Sequence, residues 1–125
     1  MILLAGFSIQ YALPEPRVPN PESMTLTNKT VLITGGKRIG AAVAETLARR
    51  GMDVALSYQR SKDEAEATAA TVRAAGRRAV VLQANLSRGD DCAALVDRAA
   101  AALGRLDVLI NMASVYRSRP LSEID

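Results

Sequence analysis

The chain has 125 residues, 49% of them apolar and 23% charged, with a net charge of +3. That bounds it to one domain, rich enough in aliphatic residues to bury a core, and excludes disorder along its whole length. Histidine and tryptophan are absent and Cys92 is the single cysteine, which excludes a disulfide framework, Cys-based zinc, Ser-His-Asp chemistry and a stacking platform for single-stranded nucleic acid. Residues 1–13, MILLAGFSIQYAL, are apolar, and residues 14–21, PEPRVPNP, hold four of the five prolines. A secretory signal needs basic residues before its apolar run, yet the first here is Arg17. Residues 1–23 are therefore expected to be a Pro-rich extension that packs little, with Met24 a candidate natural start. Residues 24–125 form the domain.

The domain alternates strands and helices. KTVLIT (29–34) is a β-branched apolar run closed by glycine, the pattern of a buried strand. Residues 39–51 follow as a helix, with Ile39, Val43, Leu47 and the alanines between them on one face and Gly51 at its stop. MDVALSY (52–58) is a second strand. Ser61 with Glu64 reads as a capping box for a helix that runs to Gly76. RAVVLQA (78–84) is a third strand, and Ser87 with Asp90 reads as the cap of a helix ending at Gly104. LDVLINM (106–112) is a fourth strand, and Ser122 with Asp125 resembles the cap of a further helix. Strands apolar on both faces that alternate with helices predict an α/β fold: a doubly wound parallel sheet covered on both sides. The expected strand order is 3-2-1-4. Cys92, inside the third helix, reads as a small buried or half-buried residue rather than a nucleophile. The acidic group Asp63, Glu64 and Glu66 reads as a solvated face that complements the helix dipole.

Between the first strand and first helix lies Thr34-Gly35-Gly36-Lys37-Arg38-Ile39-Gly40. A pyrophosphate must approach the backbone closely at a helix N-terminus, where free N–H groups and the dipole attract it. Gly35 and Gly36 permit the tight turn, and Gly40 lets helix and strand pack closely. Lys37 and Arg38 add positive charge. At this point the sequence resembles the short-chain dehydrogenase/reductases, whose loop reads TGxxxGxG. Thr34, Gly35 and Gly40 match. Arg38 stands in place of the middle glycine, as in pteridine-reductase-like members, and two residues rather than three separate it from Gly35. LGRLDVLINMAS (103–114) is similar to the family's GxxDxLVNNAG: Asn111, Ala113 and Ser114 fit, while Met112 replaces the second Asn, which in the family steadies the sheet centre. Asn85-Leu86-Ser87 resembles the family's Asp-hydrophobic-Ser/Thr, with Asn85 in place of an adenine-binding Asp. An amide retains a donor and an acceptor for that role. The resemblance covers about residues 27–125.

An NAD-binding fold of this type carries an acidic residue at the end of its second strand. Here strand two ends at Tyr58 and no carboxylate occurs from Val54 through Lys62, whereas a 2′-phosphate would find Arg60, Ser61 and Arg38 or Lys37. Arg offers a planar fork that matches phosphate oxygens. NADP(H) is therefore favoured over NAD(H). The resemblance implies an oxidoreductase that moves hydride to or from a carbonyl or imine, with Thr34, Gly35, Gly36, Lys37, Arg38, Ile39, Gly40, Tyr58, Arg60, Ser61, Asn85, Leu86, Asn111, Ala113 and Ser114 around the cofactor. Its catalytic Ser and Tyr-x-x-x-Lys, which the family carries beyond the fourth strand, are missing there: lysine occurs only at 29, 37 and 62, and Pro120 follows Tyr116 by four. Ser114 and Tyr116 fall too early for catalysis. The chain thus reads as the first four strands of a Rossmann-fold reductase, the cofactor-binding portion of a longer protein or of a truncated product. Its basic residues form no stripe and no apolar run reaches the ~18 residues of a bilayer span. The expectation is a cytoplasmic protein that binds neither nucleic acid nor membrane, and is homo-oligomeric when complete. The alternative is a non-catalytic nucleotide-binding or regulatory module.

Overall fold

A computed structural model describes residues 25–114 and 120–123. The expected extension, residues 1–23, lies outside the described residues, as do Tyr116 and Asp125. The elements follow in the order β1 (Thr30–Gly35), α1 (Lys37–Arg49), β2 (Asp53–Tyr58), α2 (Lys62–Ala74), β3 (Ala79–Gln83), α3 (Gly89–Leu103) and β4 (Val108–Met112), with a 3-10 turn at Leu121–Glu123. The four strands form one parallel sheet in the order β3-β2-β1-β4. Ile33 of β1 stands between Leu56 of β2 and Ile110 of β4. Both the alternation and the strand order agree with the sequence expectation.

The period of two along each strand divides the core between the sheet's faces. Val31, Ile33, Val54 and Leu56 join Ala44, Ala48, Ala69 and Val72 of α1 and α2 on one side. Leu32 and Ala55 join Leu95, Ala99 and Leu103 of α3 on the other. β1 and β2 are buried on both faces, as a central parallel strand requires. β4 departs from the expectation. Val108, Ile110 and Met112 pack against the α1–α2 side, while Leu109 is 57% exposed. α3 leans on β3, β2 and β1, so among the described residues nothing lies over that face of β4.

Three helical details correct the sequence reading. α1 begins at Lys37, two residues before the predicted start, and its buried residues are Gly40, Ala44 and Ala48. Ile39 is 68% exposed, and Val43 and Leu47 are only partly buried. The small residues allow the helix to sit close to the sheet, which leaves Ile39 outward and Val43 and Leu47 at the margin of the core. Ser61 occupies the N-cap position of α2, but its side chain makes no cap bond, so the capping box does not form. Ser87 does not cap α3, whose N-cap is Arg88. The Ser87 N–H and hydroxyl instead donate to Asn85 Oδ1 at 3.1 and 2.6 Å, a local Asx turn that competes with the helix cap. Cys92 is half-buried, as expected, with its thiol directed at the Leu86 carbonyl at 3.4 Å.

At the amino edge of the sheet, two carboxylates tie the strands together. Asp53 Oδ1 accepts from the Arg78 N–H at 3.0 Å and Oδ2 from Arg78 Nε at 2.9 Å. Arg77 Nε also lies 3.0 Å from Asp53, but its N–H makes no hydrogen bond, so that contact is charge without alignment. Burial would raise the Asp53 carboxyl. The Arg78 hydrogen bonds and the Arg77 and Arg78 charges outweigh it and hold the group below its ordinary value. Asp107 Oδ2 accepts from the Thr30 N–H at 2.9 Å, which joins β4's lead-in to β1. The Arg105 guanidinium, then the Thr30 N–H, hold the Asp107 carboxyl low.

Candidate functional site

The carboxyl edge of the sheet, where the chain leaves β1 for one neighbour and β4 lies on the other side, is the topological switch point at which doubly wound folds bind ligands. The Thr34–Gly40 loop occupies it. Gly35 and Gly36 have φ of 67° and 85°, and Lys37, the first residue of α1, has φ of 23°. The glycines adopt the left-handed region freely, whereas Lys37 holds it under strain. Gly36 caps α1 and its carbonyl accepts from the Gly40 N–H.

The loop is pressed against its surroundings so closely that side chains are excluded. A Cβ at Gly35 would lie 2.7 Å from Ala113 Cα. One at Gly40 would lie 2.8 Å from the Gly35 carbonyl oxygen, and one at Gly36 3.0 Å from Met112 Cβ and Sδ. The loop is one residue shorter than the family pattern, and it closes down on the exit of β4. Met112, in the place of the family's second Asn, fills that contact and packs into the α1–α2 core. Thr34 is buried, and its hydroxyl donates to Asn111 Oδ1 at 2.5 Å, which locks β1 to β4 at their carboxyl ends. Ala113 and Ser114 are exposed just beyond.

The first N–H groups of a helix lack intrahelical partners and carry its positive dipole end. α1 has no acidic residue in its first turn, and Lys37 and Arg38 are exposed there. At the end of β2, Tyr58 is half-buried. Arg60 and Ser61 line a shallow cleft with Lys62, Asp63 and Glu64 of α2. This cleft joins the loop through an ion pair, Lys37 Nζ to Glu64 Oε1 at 3.7 Å. Among the described residues, neither Arg38 nor Arg60 has an ion-pair partner.

Asn85 and Leu86 follow β3, at the far side of the sheet. The Asn85 N–H donates to Asp91 Oδ2 at 2.9 Å, and its Oδ1 takes both donors of Ser87. Both lone pairs of the amide oxygen are thereby used, so Nδ2 is the group left to meet a base. Leu86 packs against the α3-side core. The structure thus gathers Thr34–Gly40, Asn111 and Ala113 into direct contact, links Arg60 and Ser61 to them through Lys37 and Glu64, and sets Asn85 apart. Sequence reasoning missed the part played by Glu64. The available signal was a carboxylate in the first turn of α2 and a lysine in the first turn of α1, on helices that pack together.

Among the described residues, no group of three or more His, Cys, Asp or Glu is placed to hold a metal ion. No described helix is long and apolar enough to cross a membrane.

Comparison with known proteins agrees with the fold. The family model described as short chain dehydrogenase matches residues 29–125. A short-chain dehydrogenase/reductase homologue, YusS of Bacillus subtilis, is 37% identical over 103 residues, which is 82% of this chain and 94% of that protein. The 3-oxoacyl-[acyl-carrier-protein] reductase FabG of Staphylococcus epidermidis is 37% identical over 95 residues, covering 75% of this chain and 39% of the reductase. A crystal structure of a short chain dehydrogenase from Burkholderia cenocepacia in complex with NADP superposes with a TM-score of 0.75 and 42% identity. That match covers 81% of this chain and 42% of the other. The chain therefore spans nearly all of the Bacillus homologue but about two fifths of the reductase and of the NADP complex. By the extent of these matches, this chain belongs to the short-chain dehydrogenase/reductase family.

Proposed function

We propose that this chain is the cofactor-binding portion of an NADP(H)-dependent short-chain reductase, with the pyrophosphate on the Thr34–Gly40 loop and the 2′-phosphate beside Arg60 and Ser61. The observation that carries the reading is the glycine cradle. Cβ atoms at Gly35, Gly36 and Gly40 would strike backbone or Met112, so the loop presents bare backbone at a helix N-terminus, where a phosphate binds most readily. The residues present fit the nucleotide. Lys37 and Arg38 would neutralise it, Tyr58 would flank it, and Ala113 and Ser114 would line its path past Asn111. The nicotinamide supplies the hydride. Asn85 would meet adenine through Nδ2, and so would favour a ring nitrogen over the exocyclic amine.

Three supports favour NADP(H) over NAD(H): the missing carboxylate at the end of β2, an Arg60 without an ion-pair partner among the described residues, and the NADP complex of the Burkholderia relative. Arg38 in place of the middle glycine supports a pteridine-reductase-like leaning. In the complete protein, the contacts to a carbonyl or imine substrate and the Tyr-x-x-x-Lys acid–base pair would be supplied by residues beyond these 125, as would contacts for a homo-oligomer. We read residues 24–125 as one partial dinucleotide-binding domain and residues 1–23 as an extension to it. A second reading, a nucleotide-binding module without chemistry, is favoured by the near-complete overlap with the Bacillus homologue.

Calorimetric titration of NADPH and NADH tests the assignment. Arg60→Ala should weaken NADPH about tenfold or more, because a charge-assisted fork to phosphate is lost, and should leave NADH unchanged. The loss should shrink at high salt. Equal losses for both nucleotides would refute the role of Arg60.

A further inference from the structure

The first turn of α2 brings opposite charges to the same cleft. Arg60, Ser61 and Lys62 would attract a phosphate, whereas Asp63 and Glu64 would repel it. Glu64 does more than face solvent. It reaches across to the strained first residue of α1, with Lys37 Nζ 3.7 Å from its carboxylate. The side chains remain 70% and 54% exposed, and no hydrogen bond joins them at that distance. The ammonium is thus held by a single weak anion at the edge of the cleft where a stronger one would bind.

Resting on the NADP(H) reading above, we propose that Glu64 is a specificity-determining residue that competes with the 2′-phosphate of the cofactor for Lys37. In the free protein Glu64 occupies the ammonium. A phosphate group near two negative charges outbids one exposed carboxylate, and Lys37 changes partner when NADPH binds. NADH carries no group to draw Lys37 away, so the exchange touches only the phosphorylated cofactor. Glu64 then lowers NADPH affinity and moderates the preference that Arg60 and Ser61 establish. An exposed ion pair of this kind is weak and screened by salt, which sets the size of the effect.

The test is calorimetric titration of NADPH and NADH into the full chain as wild type, Glu64→Gln, Lys37→Met and the double variant. Glu64→Gln should tighten NADPH about two- to fivefold, the worth of an exposed ion pair, and leave NADH unchanged. The gain should disappear in the Lys37→Met background and at high salt. Unchanged or weaker NADPH binding in Glu64→Gln would overturn the proposal, since Glu64 would then be idle or would be orienting Lys37 for the phosphate. An equal gain for NADH, or a gain that persists without Lys37, would overturn it too, because the carboxylate would be acting on something other than this exchange. A wild-type chain that binds neither nucleotide would bring down the NADP(H) reading itself, whereas a wild type that prefers NADPH with an inert Glu64→Gln would bring down this proposal alone.

Discussion

Gly40→Ala examines the core of the site, because it sets two effects of opposite sign against each other. Gly40 lies within α1 and its φ is not positive, so helix propensity by itself favours alanine by roughly 0.8–1 kcal/mol. The new Cβ, however, would lie 2.8 Å from the Gly35 carbonyl oxygen. That oxygen belongs to backbone held on its far side by Ala113, so it cannot rotate away as a side chain would. Overpacking of this kind costs about 1–3 kcal/mol. The expected net is a loss of up to about 2 kcal/mol and a loop displaced from its cradle. Gly89→Ala is the matched control. It is also a helical glycine, with nothing within 4 Å of its Cβ, and should be neutral or stabilising by less than about 1 kcal/mol. Thermal melts read by circular dichroism should fall for Gly40→Ala and hold or rise for Gly89→Ala, by about 4–8 °C per kcal/mol for a domain of this size. NADPH titration should show a large loss for Gly40→Ala and none for Gly89→Ala. If Gly40→Ala melted at or above the wild type and bound NADPH as well, the close approach of α1 to the loop would not be what the site requires.

Asp53→Asn should destabilise the protein by about 1–3 kcal/mol at pH 7, since it removes the charge that Arg78 and Arg77 partner. The folded carboxyl titrates below its ordinary value of 3.8, so its contribution is present above that pH and is lost as pH falls through the folded pKa; urea unfolding at pH 7 and near pH 3 should show the gap between wild type and variant closing. Leu32→Ala, in a side chain only 1% exposed, should cost about 2–5 kcal/mol, whereas Leu109→Gln, on the uncovered face of β4, should change stability by less than about 0.5 kcal/mol in the same urea series. The 125-residue chain should oxidise no NADPH against carbonyl compounds above a buffer blank, because no lysine follows β4, where the family carries its Tyr-x-x-x-Lys, and measurable turnover would show a different proton donor.

Most of the architecture could be read from the residues because its signals are local. β-branched runs closed by glycine, helical stretches ended by Gly51, Gly76 and Gly104, and a Gly-Gly pair after the first strand each act within a few residues, and the βα alternation admits few topologies. The cofactor loop was legible for the same reason: a turn that must expose backbone at a helix N-terminus has to be written in glycine. What required the tertiary structure was every relation between distant segments. The outward Ile39 and inward Ala44 and Ala48 follow from how closely α1 approaches the sheet, a distance that hydrophobic periodicity does not contain. Ser61 and Ser87 each carried a capping pattern, yet neither caps, and Ser87 is diverted by the amide of Asn85. The bare face of β4 depends on where α3 lies, and the bond from Thr34 to Asn111 and the pair of Lys37 with Glu64 join residues far apart in the chain. Such contacts arise only once strand order and helix packing have brought the two partners to the same edge of the sheet, which is why the sequence by itself determines the loop while the fold decides what surrounds it.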